Sequence, residues 1–556
     1  MRLEKIIPKQ FRISQNLQPT TLREFNGGWN VLDDDMNLGH QYARISYNVA
    51  ADNDGSVAVR QGYRLFAKCR PLISTDAYCV DAYYFKSALI VVMSNAEICK
   101  VTGNGAVSII WNDAIADSLP GGGAPDYSTR WSAPVDFVSF AEFNDHLILC
   151  NGQDKPLDID NQFRVELLQD AASGSNLMVP ICKYVTAISR YLVMAGDPLE
   201  PDRIHISAKD AHGTWYGDPE PNDGTRLDVG SILPGATTIR GLLGFRGKLI
   251  VMFAEGLLFG FLGEYDENGN HIPNFEDGVS GYGSISHRSG IAYGDDGMFM
   301  DLEGVPSIKR TALSTSFKPE RLSYLIDPEI KAALKPLSFE AMENHVFSVY
   351  NRSAGQFMLF VPNAETVAET TETKAFVYNY RPALRQECWS LFGDWNFTCG
   401  VRSLTGRVFF GDKNADIWVL GSDDDPIYTD NGNAIPFDWE LPWLDFGQRT
   451  KSKTCKHISF DTRGLSEFDC RMYVDNFYTN KGADAPALTT QFSGGGQGHF
   501  GEGPQPYGGG RNTARKWHYV WPCKFQIAKL RFSGLSDAGL SFVSISLHYL
   551  LGGINR

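Results

Sequence analysis

VSFAEFNDHLILCNGQDKP (138–156) and LLGFRGKLIVMFAEGLLFGF (242–261) follow one plan: an aromatic residue, a short polar turn, an apolar run, then a second polar or glycine turn. In the first, Phe143 leads through Asn144, Asp145 and His146 into Leu147, Ile148 and Leu149. In the second, Phe245 leads through Arg246, Gly247 and Lys248 into Leu249, Ile250 and Val251. Each reads as strand, tight turn, buried strand, closed by residues that tolerate turn backbone. The apolar runs do not alternate cleanly, so the pattern predicts strands covered on both faces, as in sheets stacked radially on their neighbours.

Looser copies appear as YYFKSALIVVMSNAEICKV (83–101), KYVTAISRYLVMAGDP (183–198), FEAMENHVFSVYNRSAGQFMLFVP (339–362) and SLTGRVFFGDKNADIWVL (403–420). Their spacing of about 40 to 60 residues is that of propeller blades. The expected fold is mostly β: a β-propeller-like domain of about six to seven blades over 24–435, preceded by a polar, mildly basic arm at 1–23. FKPERLSYLIDPEIKAALKPL (317–337) breaks the pattern. Asp327 reads as a helix N-cap, Pro328 as the first helical residue and Pro336 as the stop, so a short helical insertion is expected there. SDDDPIYTDNGNAIP (422–436) is turn-rich and marks a boundary. Beyond it, residues 436–556 read as a C-terminal β-sandwich-like domain, interrupted by the Gly-rich loop SGGGQGHFGEGPQPYGGGR (493–511). Near the C-terminus, Phe542, Ser544, Ser546 and His548 alternate with Val543, Ile545, Leu547 and Tyr549, which predicts a sheet with one buried face.

The 556 residues carry a formal net charge of −14, with 55 Gly and 12% aromatic residues, a composition suited to many short strands and turns. Such acidity argues against a general nucleic-acid binder, because neutralising phosphate takes Lys and Arg. It permits a wall that repels phosphate and lets DNA pass. The ten Cys include no C-x-x-C pair and sit in apolar stretches, so buried free thiols are expected. The N-terminus lacks a signal-peptide core, and the longest apolar runs are of strand length, so a soluble protein made in the cytoplasm, with no membrane-spanning segment, is expected.

No motif assigns chemistry. GQGHFG (496–501) matches G-x-G-x-x-G literally, but Gly- and Pro-rich sequence follows where a dinucleotide site needs a helix. SAKDAHGTW (207–215) has the wrong spacing for an Asp box and reads as an edge turn. DENGN (266–270) lacks the remainder of a calcium loop and reads as a hairpin tip. His205, His287 and His345 fall in strand-like patterns and read as structural histidines. Arg449, Lys451, Lys453 and Lys456 form a basic cluster, read as a solvated strand edge. Loops 113–134 and 493–511 are candidates for docking or gating. The reading assigns no catalytic, cofactor-binding or metal-ligating residue and no cofactor.

Several segments, taken in order, resemble the tail-hub or nozzle proteins of short-tailed bacteriophages, also called packaged-DNA stabilisation or tail tubular proteins. They are FNGGWNVLDDDMNLGHQYARISYNV (25–49), VAVRQGYRLF (57–66), RIHISAKDAHGTW (203–215), GSISHRSGIAYGDDGMFMDLEGVPSIKR (283–310), FDWELPWLDFGQRTKSKTCKHISF (437–460), LRFSG (530–534) and ISLHYLLGGINR (545–556). The resemblance spans nearly the whole chain, although each motif is short. It implies a structural protein of the virion tail, assembled in the host cytoplasm as a homohexameric tube, with no enzymatic activity. Its implied partners are the portal-adaptor proteins above it and tail spikes, fibres or a needle. The tube would retain packaged double-stranded DNA and pass it during ejection without sequence-specific binding. The alternatives are a receptor- or glycan-binding tail adhesin and a propeller glycosidase.

Overall fold

The hairpins close on backbone that only certain turns require. Asn144 and Asp145 both have positive φ (50° and 66°), as do Ser189 and Arg190 (47° and 74°) and Arg246 and Gly247 (49° and 76°). Two consecutive positive φ values define the type I′ turn, whose twist matches that of the strands it joins. The turn fixes register: Phe143 faces His146, Ile188 faces Tyr191 and Phe245 faces Lys248. The computed structural model describes residues 17–52, 54–70, 77–118, 131–169, 179–215, 224–230, 232–233, 238–265, 271–293, 296–308, 321–381, 386–464, 467–475, 488–493 and 514–554.

Each hairpin grows into a small antiparallel sheet. Four have four strands: 79–111, 139–167, 184–228 and 239–280. A fifth is a short pair, Ile291–Tyr293 with Asp296–Met298, extended by a bridge from Met298 to Ser307. The sixth begins with Phe347–Asn351 and Gln356–Pro362. The seventh runs Phe397–Arg402, Val408–Asp412, Asp416–Leu420, and takes Tyr63–Lys68 from far upstream as its outer strand. The innermost strands of the seven follow one another around an axis, with Phe397–Arg402 returning to Cys79–Phe85. Among the described residues this is a seven-bladed β-propeller.

Blade stacking explains the unbroken apolar runs. All of Ala88–Met93 and Tyr191–Ala195 is buried. Successive side chains in a strand point to opposite faces, so one middle strand serves two neighbours. Leu147 and Leu149 pack with Ile90 and Val92 of the blade before, whereas Ile148 and Cys150 pack with Leu192 and Met194 of the blade after. Nine of the ten Cys, all but Cys523, are buried free thiols.

Among the described residues three α-helices interrupt the strands: α1 (Asp113–Ser118), α2 (Asp327–Leu334) and α3 (Phe339–His345). The insertion expected near 317–337 is present as α2, but Asp327 is not its capping side chain. The N-cap is Ile326, and the Asp327 carboxylate instead accepts from the Ser323 hydroxyl at 2.5 Å. The segment 339–345, expected to open a hairpin, is helical because Ser338 caps it, accepting from the Ala341 N–H at 3.3 Å.

The chain divides into two units, and not at the expected boundaries. The propeller unit is 65–376 with 393–420; the other is 1–64, 377–392 and 421–556. This second unit is a β-sandwich drawn from both chain ends. One sheet holds Leu17–Leu22, Val49–Ala51, Val57–Val59, Lys451–Arg463, Ala514–Phe525 and Ser541–Ile554. The facing sheet holds Ile45–Tyr47, Asn433–Glu440, Glu467–Asp475, Leu488–Ser493 and Ile527–Ser536. Residues 17–22 are therefore not a free arm: they pair antiparallel with 545–550, and Leu22 is buried. Between the sheets, Trp439 stacks on Phe532 at 5.2 Å and Phe468 meets Phe542 edge-on at 5.1 Å.

The opening motif is fixed by close approach in this unit. Gly28 has φ 70°, and a Cβ there would lie 2.5 Å from the Cys388 Cβ; one on Gly62 would lie 2.1 Å from the Thr429 carbonyl oxygen. The backbone passes where no other residue fits.

Candidate functional site

The propeller's inner strands surround an axial cavity of about 380 Å³, lined by side chains from around the ring such as Tyr83, Phe140, Thr186, Leu243, Tyr350 and Arg402. The principal polar cluster of the axis is held by α3 and by the short 3-10 turn His287–Ser289. Glu343 of α3 accepts from Lys183 Nζ at 2.8 Å, from Arg240 at 2.5 Å and from the Tyr184 hydroxyl. Burial pushes the Glu343 carboxyl up, but Lys183, Tyr184 and Arg240 together outweigh it and hold the group below the usual carboxylate range. Arg288 reaches across the ring: to Asp81 of the first blade at 3.1 Å, to the Asn344 carbonyl of α3 at 2.8 Å and to the Thr398 carbonyl of the seventh at 3.2 Å. The Thr398 hydroxyl donates to the Cys79 carbonyl at 2.6 Å, joining last blade to first. In Asp81, burial raises the pKa more than Arg288 lowers it.

His287 and His345 belong to this hub rather than to strands: one lies in the 3-10 turn, the other ends α3. Only His205 is in a strand, Arg203–Ile206. His287 keeps some exposure toward the axial cavity, but its Nδ1 accepts from the Leu242 N–H at 3.2 Å, which fixes the neutral ring. Burial, then the cations Arg288 and Lys183, lower its pKa to about 4. Burial and Arg288 do the same for His345, against a smaller upward pull from Asp136, also to about 4. An unfolded histidine binds its proton near pH 6.5. Between about pH 6.5 and 4 the unfolded chain therefore holds more protons at these sites, and stability must rise with pH. The contribution is complete above pH 6.5 and is lost as pH falls toward 4, on the order of 3 kcal/mol for each ring. Urea unfolding from pH 7 to 4.5 tests this. The slope of stability against pH should be shallower in His345→Gln by close to one proton, and equal slopes would refute it.

The hub's charges face one another, so the arrangement ties blades together.

Elsewhere the basic cluster is not a continuous surface. Lys453 is fully buried, donating to the carbonyls of Gln448 at 2.6 Å and Gln526 at 2.7 Å, while Arg449 is exposed. The SAKDAHGTW segment is an edge turn as expected, with Asp210 at φ 58° and ion-paired to Arg190. The motifs at 266–270 and 496–501 lie outside the described residues, as do 119–130 of the first candidate loop and all but Ser493 of the second. Among the described residues the structure also assembles two groups of metal-type ligands not found in the sequence, His146 with Asp158 and His212, and Asp197 with Glu200 and His205, each with ligand atoms within 4.8 Å. No spacing rule finds them, because each combines different strands and loops.

No family model and no curated protein matches the chain. Among solved structures it is similar to a streptogramin B lyase (11% identity, 66% of this chain and 98% of that one, TM-score 0.36). It is also similar to the WD40 β-propeller domain of Doa1 (7% identity, 65% and 97%, TM-score 0.36). A third is PorZ, a surface component of the type-IX secretion system of Porphyromonas gingivalis (11% identity, 61% of this chain, TM-score 0.34). The chain spans 36% of PorZ's length. The likeness is one of fold, and no activity or partner carries over from it.

Proposed function

We propose that the protein is a structural subunit of a short bacteriophage tail, a nozzle protein that acts by shape and charge without chemistry of its own. The observation that carries this reading is where the resembling segments fall. The opening motifs 25–49 and 57–66 and the closing motifs 437–460, 530–534 and 545–556 come from opposite ends of the chain, yet they contribute strands to one sandwich. Segments that recur in order and fold together are what a shared architecture produces. In this reading the conduit lies between subunits, within the ring they form. A net charge of −14 per chain, multiplied around a ring, keeps phosphate from adhering to the wall. The portal-adaptor proteins above and spikes, fibres or a needle below are the partners of such a tube.

Electron microscopy of the purified, assembled protein tests the proposal. A sixfold ring with an axial opening wide enough for a duplex is expected, together with the chain's presence in purified virions. A trimeric fibre that binds host glycan would overturn it in favour of an adhesin, and hydrolysis of an oligosaccharide would do so in favour of a glycosidase.

A further inference from the structure

The geometry points to a zinc-type divalent metal site formed by His146, Asp158 and His212, stapling the second propeller blade to the third. His146 opens the strand His146–Cys150, and Asp158 lies on the adjacent strand Leu157–Ile159, where it is paired with Ile148. Side chains two residues apart share a face, so His146 and Asp158 both look toward the third blade. That blade's loop 207–215 supplies His212.

The donor atoms are already near coordination distance. His146 Nδ1 is 2.8 Å from Asp158 Oδ1, His212 Nε2 is 3.3 Å from Asp158 Oδ2, and the two imidazole centroids are 4.4 Å apart. Bonds of about 2.0–2.1 Å in tetrahedral geometry place ligand atoms roughly 3.3 Å apart, and the three donor atoms here lie within 4.8 Å of one another, so a metal draws them together by small side-chain adjustments. Two imidazoles and one carboxylate suit zinc and its neighbours, whereas calcium and magnesium prefer oxygen throughout. The three side chains keep between 17% and 32% of their exposure, which leaves an entry path and a fourth position for water.

The ligands are held from behind. Asn144, in the I′ turn just before His146, donates to the Asp210 carbonyl at 2.7 Å, tying the His212 loop to the second blade. Arg190, in the third blade's own turn, donates through Nε to the Asp210 carboxylate at 2.7 Å. The Ala208 N–H donates to the Thr214 carbonyl at 2.9 Å, closing the loop on itself. Support of this kind orients first ligands and sets affinity. The other group, Asp197, Glu200 and His205, is less suited, because Arg203 engages the Glu200 carboxylate.

Without metal, the Asp158 carboxylate already faces both rings, hydrogen-bonded to His146 Nδ1 at 2.8 Å and with His212 Nε2 3.3 Å away. Titration separates the two states. The full-length protein, stripped with chelator, is titrated with zinc chloride by calorimetry and, in parallel, with cobalt chloride by absorption. We expect one ion per chain, a visible cobalt spectrum of low coordination number, and a higher melting temperature with zinc. His212→Ala, at a half-buried loop position, should weaken binding by more than the roughly tenfold to hundredfold that loss of an outer partner costs, whereas His205→Ala should leave it unchanged. Absence of saturable one-to-one binding by the unaltered protein would overturn the proposal regardless of how any variant folds. Binding that survives His212→Ala, or that is lost in a folded His205→Ala, would overturn it too.

Discussion

Replacing Glu343 by alanine should lower the stability of the propeller by about 3–5 kcal/mol, the cost of removing one partner from a buried ionic cluster. The carboxylate faces two cations, Lys183 at 2.8 Å and Arg240 at 2.5 Å, and takes the Tyr184 hydroxyl as well. Its removal leaves the cations with less neutralising charge and one buried hydroxyl with no acceptor. The residue ends up inside the ring because Ser338 starts α3 and Ser286 fastens it, donating to the carbonyls of Glu343 at 3.0 Å and Val346 at 2.8 Å. Glu343→Gln should fall between alanine and the native residue, since it keeps an acceptor but not the charge. Urea unfolding at pH 7 measures the difference. A loss below about 1 kcal/mol in Glu343→Ala would place the cluster with exposed ion pairs, which contribute that little.

The parts of this fold that sequence reveals are those whose cause is local. Asn144 with Asp145 and Arg246 with Gly247 announce their turns, and runs such as Leu147–Leu149 announce strands buried on two faces. What stays hidden depends on distant partners. The strand 17–22 looks like a polar arm until its partner, more than five hundred residues on, is known. The alternation at 542–549 fails at one point: Thr462 faces Phe542 and Asp461 faces Ser544, so Val543 is an extra residue that brings both Phe542 and Ile545 to the core. Lys453 reads as one of a basic series, and only the enclosing carbonyls show it to be buried. The hub and the His146 group are illegible for the same reason. Arg288 touches residues of the first and seventh blades, and His212 sits on a different blade from its two companions. A repeat in sequence predicts each blade but not what the blades jointly enclose.

In the sandwich, Asp430→Ala should be as damaging as the loss of Glu343, again about 3–5 kcal/mol, because it strands a guanidinium with no solvent access. The side chain of Arg60 is 0% exposed and that of Asp430 10%. The contact is bidentate, NH1 to Oδ1 at 2.9 Å and NH2 to Oδ2 at 2.7 Å, while Arg60 Nε donates to Asn48 Oδ1 at 2.8 Å. Asn48 in turn has φ 55° and donates through Nδ2 to the Pro436 carbonyl at 2.8 Å, so three chain segments meet at one arginine. Lysine in place of Arg60 cannot reproduce the fork and should recover only part of the stability. The decisive comparison is the double variant Arg60→Met, Asp430→Ala. Removing both charges removes the stranded one, so the double variant should be more stable than Asp430→Ala alone, measured by urea unfolding of each in a double-mutant cycle. If the two single losses simply add, the pair is not coupled, and the meeting of segments 48, 60 and 430 rests on backbone packing rather than on charge.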